Sequence, residues 1–257
     1  MLFRSWSTAR AGVASVAGAN RWTLCLQRDF TSSGYSGVRV YVHDFANTTL
    51  NSGTTLFHSI PSGETHRYPE VGGTTGYSSG NNALLVYQAD ITATQQNTPN
   101  SEAWGVLVDA AAGTFGTRFL LAGTGVGTSL DREFPVVNQE SAGGASSWIV
   151  AWQQFDNTIT NDDWDIISNR VAPTGTVSSL MYQGPATSTP AHKVRPRVAG
   201  SNGRYLVSYT MTTALASEFG SSIDVARFDW PDSASAPTQI AIRSVASGGT
   251  ADYGTCP

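Results

Sequence analysis

The feature that most restricts this chain is a short apolar segment that returns four times. Trp22-Thr-Leu-Cys-Leu-Gln27, Ala83-Leu-Leu-Val-Tyr-Gln88, Trp148-Ile-Val-Ala-Trp-Gln153 and Tyr205-Leu-Val-Ser-Tyr-Thr210 have one length, and three of the four close on glutamine. Their last residues lie 61, 65 and 57 positions apart, the spacing of one structural unit carrying loops of variable length. Side chains of a strand alternate between two faces. A segment that is apolar at successive positions is therefore expected to be covered on both sides, as in a sheet stacked between other sheets.

Three further strands are expected around each of these segments. A strand opening precedes it, led by proline at Tyr68–Val71, Phe134–Val137 and Arg195–Val198 and degenerate at Val13–Val16; proline at the first position of a strand removes no ladder bond. A third strand follows at Val38–His43, Trp104–Asp109, Trp164–Val171 and Ile223–Phe228, and a fourth at Thr55–Ile60, Arg118–Ala122, Ser179–Tyr182 and Gln239–Ile242. Turn formers such as Asp109-Ala-Ala-Ala-Gly113 separate the last two, and no segment sustains helical periodicity. The expectation is an all-β, β-propeller-like domain with four repeats of about four antiparallel strands each. The blades fall at 12–61, 66–123, 132–184 and 193–246, with 247–257 the start of a further repeat or a closure segment. Pro135, Pro196 and Pro257 are each 61 residues apart, so the register runs to the last residue. That favours part of a larger propeller, completed by further blades or a partner chain, over a four-bladed ring.

Proline-led strand, apolar strand closing on aromatic-Gln, acidic loop and third strand together resemble the repeats of secreted bacterial β-propeller proteins. The resemblance covers nearly the whole chain and is structural. It implies an extracellular ring with a central channel and ligand-binding loops on one face, and no particular reaction.

Charged residues make up 13% of the chain, against about 25% in ordinary soluble domains, and Lys193 is the single lysine. A polar, weakly charged surface suits an extracellular or cell-surface location. A net charge of −4 without a basic face argues against nucleic acid. No apolar run is long enough for membrane insertion as a helix, and Met1–Ala19 lacks the apolar centre of a secretory signal. Arg4 and Arg10 loosely resemble an organelle transit peptide, but from Gly12 onward the segment aligns with the repeat and is expected to belong to the fold. Cys25 and Cys256 either bridge the first repeat to the last or stay free thiols.

Several constellations could carry chemistry. Asp156, Asp162, Asp163 and Asp165 crowd one loop, offering the oxygen donors of a Ca²⁺ site or the Asx turns of a solvated hairpin. His66, Arg67, Arg132, Glu133, Lys193 and Arg195 precede the repeated prolines. They are expected around the channel mouth, where they would bind an anionic or hydroxyl-rich ligand or pair with one another. Trp104 and Trp164, taken as matching starts of the third strand, would stack on a sugar or pack between blades. Loop carboxylates Asp29, Asp90, Glu102, Glu218 and Asp224 could supply the acid and base of glycoside cleavage. The four histidines have no zinc spacing, there is no nucleophile elbow, and Gly123–Gly127 precedes no helix that would make it a nucleotide loop. The leading expectation is a non-catalytic binding or scaffold propeller that recognises a glycan or protein without a resident cofactor. The alternative is a polysaccharide-acting glycoside hydrolase or lyase.

Overall fold

The computed structural model describes residues 11–30, 35–44, 46, 64–74, 81–90, 101–122, 131–138, 140–141, 147–156, 163–178, 181–183, 191–201, 204–212, 222–229 and 238–247. They form an all-β, propeller-like array of four blades. Blade 1 holds β1 (Ala11–Val16), β2 (Arg21–Phe30) and β3 (Tyr35–Asp44). Blade 2 holds β4 (Thr65–Thr74), β5 (Asn82–Asp90), β6 (Ser101–Asp109) and the short β7 (Thr114–Phe115) and β8 (Phe119–Leu120). Blade 3 holds β9 (Arg132–Val137), the two-residue β10 (Glu140–Ser141), β11 (Trp148–Asp156), β12 (Asp163–Val171) and β13 (Met181–Gln183). Blade 4 holds β14 (His192–Ser201), β15 (Arg204–Thr212), β16 (Ser222–Asp229) and β17 (Thr238–Ser247). Each blade is an antiparallel meander, and the four recurring apolar segments all lie in second strands. Ala17–Ala19 is the single helical turn among the described residues. The expected strand Thr55–Ile60 lies outside them.

Packing explains the apolar pattern. In β5, Leu85 and Tyr87 join Cys25, Val40 and Val42 of blade 1 in one core, while Leu84 and Val86 meet Trp148, Val150 and Trp152 of blade 3 in a second. A third core sets Ile149, Ala151 and Ile166 of blade 3 against Tyr205, Val207, Tyr209 and Phe228 of blade 4. Each buried large side chain contributes about 1.5–3 kcal/mol, so these seams hold the blades together. The expectation of two covered faces for the second strands is met in β5 and β11 and corrected in β15, where Leu206 is exposed. Val13 in blade 1 and Leu206 and Ile240 in blade 4 are exposed, and among the described residues blades 1 and 4 share no core.

The first strands line the centre and draw together at their C-terminal ends. There β4 pairs in parallel with β1 at Val16 and with β10 at Glu140 and Ser141. The approach is so close that a Cβ on Gly73 would lie 1.9 Å from the Ser15 carbonyl oxygen, and one on Gly72 would lie 2.5 Å from that of Asn138. The Trp148 indole donates to the Gly73 carbonyl at 2.7 Å and closes this end further. Among the described residues the opposite end, where first strands begin, has no lateral backbone pairing. Glutamine side chains bridge the blades there.

Candidate active site

The repeated prolines do not open their strands, as the sequence suggested, but sit at bulges inside β4, β9 and β14, where the ladder register slips and no amide hydrogen is required. The residue before each proline lies at positive φ: Tyr68 at 50°, Phe134 at 50° and Arg195 at 56°. For a residue with a Cβ this costs about 1 kcal/mol or more. Each of these amides donates to the glutamine that closes the second strand of the preceding blade. Tyr68 reaches Gln27 Oε1 at 3.1 Å, Phe134 reaches Gln88 Oε1 at 3.1 Å and Arg195 reaches Gln153 Oε1 at 2.9 Å. The recurring glutamine is thus an inter-blade staple.

Two of these glutamines use their other end to hold a carboxylate. Gln88 Nε2 donates to Asp90 Oδ1 at 2.7 Å, an oxygen that also accepts from Ser101 Oγ at 2.8 Å, while Arg67 Nε lies 3.4 Å from Asp90 Oδ2. Gln153 Nε2 donates to Glu133 Oε2 at 3.1 Å. Asp131 completes the group, accepting the Ser101 amide at 3.1 Å. Burial first, then the negative charges of Asp131 and Asp90, push the Glu133 carboxyl up from 4.5 to about 7; the Gln153 hydrogen bond and Arg67 offset part of this. Glu133 can therefore exchange a proton near neutrality at the seam between blades 2 and 3, beside two other acids.

Arg132, Lys193 and His66 are each set against a carboxylate. Arg132, fully buried, grips both oxygens of Glu102 in the preceding blade at 2.9 and 2.7 Å and donates through Nε to Gln154 at 3.0 Å. Burial raises the Glu102 carboxyl and the guanidinium pulls it back in part. Lys193 makes the corresponding link to Asp165 at 2.6 Å. Buried His66 lies 2.9 Å from Glu64, which Arg118 holds at 2.6 and 2.8 Å. Arg118 and His66 outweigh burial and bring the Glu64 carboxyl down to about 2. Arg67 joins the acid cluster, and Arg195 is exposed.

Trp104 and Trp164 are not equivalent. Trp104 lies opposite Tyr87, the residue before the closing glutamine, whereas Trp164 lies opposite Phe155, two residues beyond it. Arg118 covers the Trp104 ring at 4.1 Å and Phe155 packs on Trp164 at 5.4 Å. Of the loop acids, Asp162 lies outside the described residues, the backbones of Asp156 and Asp163 stand opposite each other in the β11–β12 ladder, and Asp165 serves Lys193. No group of three metal-ligating side chains occurs among the described residues. Cys25 is a free, buried thiol pushed up to about 12 by desolvation, and Cys256 lies outside the described residues. Asp131 and the glutamine contacts escaped the sequence reading. The one available signal was a second acid two residues before Glu133.

No protein-family model matches the chain, and no curated protein is similar to it in sequence. Solved structures do resemble it. An exo-β-1,3-galactanase from Clostridium thermocellum aligns over 91% of this chain and 48% of its own at 14% identity, with a TM-score of 0.53. The GH93 α-L-arabinofuranosidase of Fusarium graminearum aligns over 90% and 65% at 10% identity and 0.55. An N-acetylgalactosamine deacetylase from F. plautii aligns over 93% and 70% at 6% and 0.51. The chain spans about half to two thirds of the length of these structures. The class defined is a β-propeller-like fold of the kind found in glycan-acting enzymes. The expectation of a non-catalytic scaffold is corrected on that ground, since these structural neighbours are enzymes.

Proposed function

We propose that this protein is a glycoside hydrolase acting on polysaccharide, with Glu133 as general acid and Asp131 as the partner carboxylate. The observation that carries the reading is the half-buried Glu133, brought to about 7 beside Asp131 and Asp90 at the seam between blades 2 and 3. Glycosidic cleavage needs one carboxyl group that can donate a proton at working pH and a second that activates water or attacks the sugar. Gln153 occupies Glu133 Oε2, leaving Oε1 to carry the proton to the glycosidic oxygen as the bond breaks. Asp131 is half-buried and accepts the Ser101 amide through Oδ1 at 3.1 Å. Asp90 is almost fully buried, and its role is to anchor Arg67 and raise Glu133 by its charge. A glycan substrate and a weakly charged surface are consistent with work outside the cell or at its surface.

Arabinan and β-1,3-galactan, chosen from the activities of the structural neighbours, are the first substrates to test by release of reducing sugar. Glu133→Gln and Asp131→Asn should each lower kcat by about 100-fold or more, and wild-type activity should fall above about pH 7 as Glu133 loses its proton. A Glu133→Gln protein within a few-fold of wild type would overturn the assignment.

A further inference from the structure

We propose that Tyr68 and Phe134 form a stacking platform for the apolar face of a sugar ring, seating the glycan beside Glu133. This rests on the reading that the ligand is a glycan, but not on which carboxyl group performs the chemistry. The two rings meet across the seam between blades 2 and 3 with centroids 4.4 Å apart and planes inclined by 39°, and both are half-buried. Each directly follows a member of the polar cluster, Tyr68 after Arg67 and Phe134 after Glu133.

Neighbouring residues in a regular strand point to opposite faces. The bulge and the positive φ break that alternation, so a charged side chain and the ring after it can serve one site. Glycine or asparagine would occupy such a backbone with little strain. Aromatic residues stand there in two blades, each held by a glutamine from the blade before. Strain retained at a repeated position, next to an acid cluster and under a half-buried ring, marks a side chain that is needed in that place. Sugars present C–H faces to aromatic rings and hydroxyl edges to polar groups, and this repeated position offers rings in blades 2 and 3 and the exposed Arg195 in blade 4.

The strain also supplies the test. Tyr68→Gly, Tyr68→Asn and Phe134→Gly each remove a ring while relaxing the backbone. They are made in the full chain carrying Glu133→Gln, so that bound glycan is not turned over. Affinity electrophoresis in gels containing the two polysaccharides named above, with thermal unfolding in parallel, should show binding weakened about fivefold or more in each variant and an unchanged or raised unfolding temperature. Wild-type binding in these variants, no retardation of the parent by either polysaccharide, or loss of folding in all three would overturn the platform, the last by making the rings a packing contact. Loss of binding in the ring variants, combined with full turnover by a protein carrying only Glu133→Gln, would instead leave the platform standing and remove the catalytic assignment.

Discussion

Replacing Glu133 with glutamine should make the protein more stable at alkaline pH and leave it nearly unchanged in acid. The folded state holds the Glu133 proton to about pH 7, whereas the unfolded chain releases it near 4.5. Between these values the folded state binds more protons, so stability falls as pH rises and the full loss is reached above 7. At about 1.4 kcal/mol per pH unit the displacement amounts to about 3 kcal/mol as a ceiling, and solvent screening at a half-buried side chain brings the expected figure to about 1–3 kcal/mol. Glutamine keeps the shape and accepts the Gln153 hydrogen bond without titrating. Urea unfolding of both proteins at pH 5 and 8.5 should give curves that nearly coincide at the lower pH and separate at the higher, with the variant more stable. In thermal unfolding the gap should be several degrees. A difference between the two proteins that is the same at both pH values would refute the electrostatic account of the cluster.

Two further substitutions test the frame around that carboxyl. Gln153→Leu removes the acceptor for the Arg195 amide and the donor to Glu133, so it should destabilise by about 1–3 kcal/mol in urea unfolding and move the alkaline limb of activity to higher pH. Gly73→Ala drives a Cβ into the Ser15 carbonyl at the closed end and should cost about 3 kcal/mol or more in the same assay.

The strands were legible because burial on two faces leaves an unbroken apolar run, as in Leu84, Leu85 and Val86. Tyr205 and Leu206 write the same run although Leu206 faces solvent, since an apolar residue does not record whether a neighbour covers it. The closing glutamine was visible as a repeat, but its partner lies about forty residues away in the next blade, 41 in the case of Tyr68. Matching the two tryptophans by their place before an apolar stretch misaligned them by three positions, because the residue paired across the sheet fixes equivalence. The acid cluster joins Asp90 to Glu133 through blade packing, and no spacing rule in the chain could announce it.

Among the described residues three seams join four blades, and the candidate acid stands on the middle one. The buried cores among these residues join neighbouring blades, and in such an array fraying starts at the ends and reaches the centre last. Blades 1 and 4, each joined to a single core among the described residues, can open and reclose while the geometry between blades 2 and 3 stays set. The outer blades thus act as sacrificial covers, and hydrogen exchange can be quick at the margins of the array without disturbing the place where a proton would be transferred.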